Sequence, residues 1–455
     1  MTVKFVPIDR DTPDLFPPSV QDYLPEDHLA RFIVDIVEQL NVNRLVQSYS
    51  GKGSSPYHPA MMLALLFYGY ATGTFSSRKL EKATYDSVSY RFICVNTHPD
   101  HDSINTFRKR FMKELEELFV EILIIAQEMG VLKMGTISLD GTKIKANASK
   151  HKALSWKHAQ EIEKLLQEEV VELMRLADQA DNSELPDGLD IPAELERREA
   201  RLAAISEAKQ EIKIRAQHRY DKEQVEYADK LAKRVEYEET TGKKPSGKAP
   251  TPPQPGPRDK DQVNLTDAES RIMPSSGGGF EQCYNAQASV EIESGLIITN
   301  HITQNTNDKL EIKPTLEQLN DQKEALGTVD NLLADAGYLS EDNVKACCEQ
   351  EIKPSISTHR EKHHIPFQQR FNISDEKEER AVSENPVEEM KHRMRTKTGR
   401  ALYAKRKSTI EPTFGVIKQV LGFRQFLLRG FNSVQGEWNL VCIGYNLKKL
   451  FTLMR

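Results

Sequence analysis

Two stretches of this chain share a pattern that restricts its fold more than any other feature: an apolar run brought to a stop by an aspartate and a glycine. Thr136-Ile137-Ser138-Leu139 meets Asp140-Gly141-Thr142-Lys143, and Thr328 to Ala334 meets Asp335-Ala336-Gly337-Tyr338. Short apolar runs bounded by turn residues suit buried strands. An aspartate where such a strand gives way to a turn is held rigidly with its carboxylate aimed outward, as a metal ligand or a general base requires. Asp-Gly is also a strong turn signal, so an ordinary hairpin is the competing reading of Asp140. Between the two aspartates, Ala286 to Ile292 and Leu296 to Ile302 flank Glu293-Ser294-Gly295 as a hairpin. A helix is expected from Asp308 to Leu319, a helix capped at Ser340-Glu341-Asp342, and a strand at Ile352 to Ile356. This order predicts an α/β fold with a mixed sheet flanked by helices.

The flanking sequence has a different character. Residues 1–130 predict an all-α domain. Pro25, Glu26 and Asp27 suit a first helical turn, and Leu29, Phe32, Ile33, Ile36, Val37 and Leu40 follow at helical spacing. A second helix is expected at His58-Pro59, a third near Ser77, and a long one from Ser103 to about Gly130. Arg108, Lys109 and Arg110 cluster near the start of that last helix, which suggests DNA contacts through Arg108 and Arg110; a basic surface turn of an ordinary bundle is the plainer reading. Residues 131–149 hold the first strand of the core. Residues 150–270 read as a helical, coiled-coil-like insertion without catalytic residues. Ile162, Leu165, Leu166, Val170, Leu173 and Leu176 mark one helix, and Leu195, Leu202, Ile205 and Ile212 a second, with a break around Pro186, Gly188 and Pro192. The Pro-rich residues 241–262 read as a linker or mobile loop. Residues 271–455 complete the core and its C-terminal helices.

Composition excludes some classes. No run of 18 apolar residues is present, and Met1 to Pro7 lacks the basic start and apolar core of a secretory signal. Five cysteines, scattered except for Cys347-Cys348, argue for a reducing compartment, and no Cys/His spacing fits zinc. The net charge of −6 does not advertise a nucleic-acid binder, but it averages over local patches.

One such patch decides the matter. Positions 391–407 carry eight Lys and Arg and no acid, and lead into Ile410-Glu411-Pro412-Thr413-Phe414-Gly415. Glu411 and Lys418 are seven apart and share a helical face. Ser408 to Glu411 also spells a capping box, which would use up the glutamate, although Pro412 makes a helix start at Ser408 awkward. Asp140, Asp335 and Glu411 thus form a set of hard oxygen donors among cations. That suits two Mg²⁺ ions roughly 4 Å apart in phosphoryl transfer, with Lys143, Lys407 and Lys418 toward DNA phosphates.

These residues resemble a known family. Leu139-Asp140-Gly141-Thr142-Lys143, Ala334-Asp335-Ala336-Gly337-Tyr338 and Ile410 to Gly415 are similar to the DDE transposases of bacterial insertion sequences, of the insertion-sequence-1182 type within the insertion-sequence-4/5 group. Pro99-Asp100-His101 with Ile104 and Phe107-Arg108 resembles the family's N-terminal domain, and Asn264 to Asp267 with Tyr284-Asn285-Ala286-Gln287 resembles the segment re-entering its core. The resemblance implies an RNase H-like core with catalytic, metal-binding Asp140, Asp335 and Glu411. It implies two Mg²⁺ ions (Mn²⁺ able to substitute) and strand cleavage and transfer at terminal inverted repeats and target DNA. A homodimer on paired DNA ends and a cytoplasmic, nucleoid-associated bacterial setting follow from it too. The wider group has Tyr-x2-Arg-x3-Glu-x6-Lys. Glu411 and Lys418 fit its second half, but Lys407 and Ala404 stand where Arg and Tyr are expected, with Arg406 and Tyr403 each displaced by one. Two other readings compete: a nuclease on the same fold, and a host-adopted, non-mobile DNA-binding protein.

Overall fold

The computed structural model of the protein describes residues 19–49, 55–180, 190–275, 278–358, 383 and 385–455. Pro186 and Gly188, expected to break the insertion's helices, lie outside these residues, as does Met1 to Pro7. The chain divides into two compact units, one of Met1–Ile144, Asn285–Leu428 and Asn432–Arg455, the other of Lys145–Tyr284 and Arg429–Phe431. The strands among the described residues are β1 (Thr136–Lys145), β2 (Ala153–Ser155), β3 (Gln262–Asn264), β4 (Arg271–Pro274), β5 (Phe280–Glu291), β6 (Ile297–Thr303), β7 (Asn331–Ala334) and β8 (Lys353–Ile356).

The first unit opens with helices α1 (Leu29–Gln39), α2 (Asn43–Gln47), α3 (Pro59–Ala71), α4 (Ser77–Asp86), α5 (Val88–Ile93), α6 (His101–Arg110) and α7 (Met112–Glu128). Two of them are capped by imidazole. His28 and His58 accept from the backbone N–H two residues on, at 3.0 and 3.2 Å. The helix expected to begin at Pro25-Glu26-Asp27 therefore starts later, because extended His28 supplies the capping acceptor. The long helix expected from Ser103 is two, α6 and α7, divided at Phe111, whose backbone (φ −107°, ψ 28°) leaves the helical region. Met62 to Ala71 of α3 is buried on every side, as a helix apolar all round must be. It is crossed by α14 (Phe431–Leu453) at Gly444, where a Cβ would come within 2.8 Å of the Tyr70 and Ala71 backbone. Glycine permits that approach.

Within this unit the strands run in the order β6-β5-β1-β7-β8. β5 and β6 are antiparallel, whereas β1, β7 and β8 are parallel, with Thr136 opposite Asn331 and Asn331 opposite Lys353. The hairpin and both later strands fall where the apolar runs place them. Edge strand β6 is buried throughout, so its outward backbone groups need partners. Side chains supply them. Asn446 bonds both Ile297 N and Ile297 O at 2.8 Å, Gln435 accepts from Ile302 N at 2.7 Å, and Gln318 of α10 (Ile312–Leu326) bonds Asn300 N and O. The helix expected from Asp308 begins at Ile312, leaving Asp308 in the preceding loop. The remaining helices among the described residues are α11 (Glu341–Glu349), α12 (Pro386–Arg395) and α13 (Lys397–Gly415), followed by a π-helical turn, Val416–Val420.

In the second unit α8 (Trp156–Ala180) packs on α9 (Ile191–Thr241), and the 51-residue α9 outruns the 25-residue α8. Leu154, Ala159, Leu166, Ile205, Ala208, Ile212 and Val263 form its core. The Pro-rich stretch is no free linker. It returns along α9, with Pro245 O accepting from Arg234, the Arg258 guanidinium on Glu223, and Arg219 bonding Asp261 at 2.7 Å and Gly256 O at 3.1 Å. Proline-rich chain lacks N–H donors but keeps its carbonyls, and here those carbonyls and two flanking charges tie it down.

Candidate active site

Strand β1 does not end at Asp140-Gly141. It continues to Lys145, so the Asp-Gly turn expected there is absent and Asp140 sits mid-strand. Gly141 is needed for space instead. A Cβ on it would lie 2.1 Å from Gln287 Nε2, 2.6 Å from Asp308 Oδ1 and 3.0 Å from Asn285 Oδ1. A strand glycine under close approach of other groups fits this position.

Alternation along β1 separates its neighbours. Asp140 and Thr142 point to one face, where α13 and the π-helical turn supply Arg406 and Lys418. Arg406 Nη1 donates to Asp140 Oδ2 at 3.3 Å, and its Nη2 lies 3.6 Å from Glu411 Oε1. Lys418 Nζ bonds Thr142 Oγ1, and Lys143 O at 3.1 Å. Gly141 and Lys143 face the opposite side, where Lys143 Nζ reaches Asp308 Oδ1 at 3.5 Å. Asp335 follows the last residue of β7 and caps a single 3-10 turn, accepting from Gly337 N at 2.7 Å.

Glu411 is free of the capping-box role. α13 starts at Lys397 with Thr396 as its cap, Ser408 lies inside it bonded to Lys405 O, and Pro412 is accommodated within it. The Glu411 side chain is 54% exposed, while that of Arg406 is 8% exposed. Lys418 lies in the π-helical turn and not two regular turns beyond Glu411, and such turns recur at functional sites.

The electrostatics single out Asp140. Burial pushes its carboxyl up to about 6; the Gly141 N–H and Arg406 oppose that shift, and the Asp335 and Asp308 charges add to it. Arg406 is held charged against its own burial by Asp140, Tyr403, Asp335 and Glu411. Among the described residues no three carboxylate, histidine or cysteine groups form a ready-made metal cage. What the fold brings together is two carboxylates on one guanidinium, with a third near enough for its charge to be felt.

The other sequence-predicted residues divide. Tyr403 is half-buried, within electrostatic reach of Arg406, and Lys407 is exposed on α13. Arg110 is exposed, stacked 4.7 Å from the Tyr49 ring and bonded to Ser48 O at 2.5 Å. Arg108 is not a surface residue: it is 4% exposed and donates to Tyr70 Oη at 3.1 Å, Phe75 O and Asn105. Its spacing from Ile104 and Phe111 puts it on the apolar face of α6, the signal that the basic triplet masked. Asp308 was missed altogether, since a loop aspartate carries no periodic signature.

Among the described residues no helix is long and apolar enough to cross a membrane. A family model described as a transposase DDE domain matches residues 249–447, taking in Asp308, Asp335, Arg406, Glu411 and Lys418, with Asp140 ahead of it. A second, a transposase domain (DUF772), matches residues 18–110. No curated protein and no solved structure matches the chain. The two family matches, on the N-terminal helices and on the later strands with the C-terminal helices, support a DDE transposase of the insertion-sequence-4/5 kind.

Proposed function

We propose that this protein cuts and rejoins DNA at the terminal inverted repeats of an insertion sequence of the 1182 type, with Asp140, Asp335 and Glu411 as its catalytic carboxylates. One observation carries the reading: a single guanidinium, Arg406, touches both Asp140 and Glu411, residues from opposite ends of the core. A site where one cation is shared by two carboxylates, with a third adding its field, has the charge to attract a divalent cation. The donors are all hard oxygens, which suits Mg²⁺ and, by the same chemistry, Mn²⁺. Bound there, two such ions would activate the attacking oxygen and stabilise the leaving one. The sheet order, three antiparallel-type neighbours and then three parallel strands sharing β1, supports an RNase H-like core.

The chain's own residues have definable tasks in this reading. Arg406 holds Asp140 ionised against its burial. Lys418 pins the backbone of β1 beyond Asp140 through Thr142 and Lys143 O, so it orients the strand as well as adding charge near a phosphate. Lys407, Tyr403 and Arg110, on the surface or partly so, are left to contact the DNA backbone, whereas Arg108 is engaged inside the fold. Two copies on paired DNA ends complete the proposal. Asp140→Asn, Asp335→Asn and Glu411→Gln should each lower Mg²⁺-dependent cleavage of an end-sequence duplex by more than about a hundredfold, because loss of a ligand exceeds loss of its outer-shell support. Gel-shift binding of the same duplex should survive. Wild-type cleavage by any of the three would remove that residue from the site.

A further inference from the structure

Asp308 has a position that its place in a surface loop does not suggest. Its Oδ1 accepts from Asn285 Nδ2 at 2.6 Å and Gln287 Nε2 at 2.7 Å, both on β5, and from Lys143 Nζ of β1 at 3.5 Å. Gln287 is itself gripped from the other end, because Tyr338 Oη donates to Gln287 Oε1 at 2.5 Å. Tyr338 is fully buried and belongs to the turn that Asp335 caps. A chain of bonds thus runs from the strand of Asp140, through Asp308 and Gln287, to the turn of Asp335.

The steric evidence agrees. Asp308 Oδ1 occupies the space beside Gly141 that a Cβ would need, and its Oδ2 lies 3.9 Å from where a Cβ on Gly337 would stand. Asp308 therefore abuts the residue after Asp140 and the residue two after Asp335. Asn285 is completely buried and its Oδ1 has no hydrogen-bonding partner, while its Nδ2 donates to Asp308 Oδ1 and, at 3.2 Å, to Asn305 O, so its amide is turned toward these two acceptors at the expense of its own carbonyl. Such an orphaned atom costs about 1–3 kcal/mol and persists only where another contact dictates the orientation.

We infer that Asp308 is a positioning residue: its carboxylate sets the spacing and orientation of Asp140 relative to Asp335 from the face of β1 opposite the Asp140 side chain. This rests on the transposase reading and adds to it a fourth carboxylate that acts through the other two. Hydrogen bonds to a charged acceptor are stronger and shorter than neutral ones, so one aspartate can hold three donors from two strands where an amide would hold them more loosely.

The test uses the full-length chain with Asp308→Asn, Asp308→Ala and Tyr338→Phe. Three quantities are measured: Mn²⁺ binding to the protein alone by electron paramagnetic resonance, the Mn²⁺ concentration for half-maximal cleavage of an end duplex, and duplex affinity by gel shift. Asp308→Ala should weaken Mn²⁺ binding and raise the half-maximal concentration about 10- to 100-fold, the range seen when outer-shell partners are lost. Duplex affinity should not change. Asp308→Asn keeps an acceptor oxygen and should recover most of that loss, and Tyr338→Phe should show a smaller shift in the same direction. Wild-type Mn²⁺ binding in Asp308→Ala and Tyr338→Phe overturns the inference. So does an Asp308→Asn variant as inactive as Asp140→Asn, which would make Asp308 a ligand. If Asp308→Ala does not fold, the other two variants decide. Asp140→Asn serves as the control: if it cleaves normally, the assignment of Asp140 to the site fails, whereas if it is dead and the Asp308 series behaves as wild type, only the positioning role fails.

Discussion

Two arginine–carboxylate clusters in the first unit make opposite use of the same groups. In one, Arg108 of α6 bonds Tyr70, which lies 3.5 Å from Glu437 Oε1, while Glu437 Oε2 accepts from Leu427 N at 2.9 Å and Leu428 N at 3.0 Å. Glu437 has no exposed surface. In the other, Arg406 reaches Asp140 and Glu411 at 3.3 and 3.6 Å, and Glu411 stays half open to solvent. The first cluster employs both oxygens of its carboxylate inside the protein and joins the N-terminal helices to α14. The second leaves carboxylate capacity facing outward. Polar groups satisfied within the fold hold structure together, while polar groups held short of satisfaction are available to a ligand, and only the second kind marks a site.

Exchanging the arginines is the sharpest way to break this comparison. Arg108→Ala should cost about 3–5 kcal/mol of stability, because Glu437 is then left buried without its counter-charge. Arg406→Ala should cost less than Arg108→Ala, since Glu411 is half open to solvent and the buried Asp140 carboxyl, already raised to about 6, can take up a proton, yet it should strongly reduce cleavage. Urea midpoints and duplex cleavage measured on both variants check the pair, and equal losses of stability would erase the distinction. A smaller effect is expected at Gly141. Gly141→Ala pushes a methyl into Gln287 and Asp308 and should cost about 1–3 kcal/mol by overpacking, read as a lowered urea midpoint. An unchanged midpoint would mean that the glycine serves something other than space.

The smallest effect concerns pH. Burial raises the Glu437 carboxyl above its usual 4.5, against the pull of the Leu428 and Leu427 N–H groups and Arg108. The folded protein thus binds this proton more tightly than the unfolded chain. Its contribution to stability is complete below the ordinary glutamate range and is lost as pH rises through the raised value. The wild type should therefore lose more stability than Glu437→Gln as pH rises from below 4.5 toward neutrality, read as the change in melting temperature. Parallel behaviour of the two proteins would show that Glu437 carries no such linkage.

Much of the framework was legible. Alternating and continuous apolar runs located β5, β6, β7 and β8, and helical periodicity located α1, α3, α8 and α9, because these patterns reflect local geometry. The misreadings share one cause. Asp140-Gly141 is a turn by local preference, but pairing with neighbouring strands extends β1 through it. Arg108 resembles its exposed neighbours until the packing of α3 and α14 buries one face of α6. Ser408 to Glu411 reads as a cap until a helix beginning at Lys397 makes it interior.

The candidate carboxylates, their order and their basic surroundings are read from the sequence alone, since an aspartate beside an apolar run and a glutamate next to a cationic stretch are local facts. Their company is not. Arg406 on both Asp140 and Glu411, Asp308 behind Gly141, and Tyr338 on Gln287 join residues from 51 to 271 positions apart (338 − 287 and 411 − 140). Only tertiary structure decided these, because a charge acts over a few ångströms of space whatever the length of chain between.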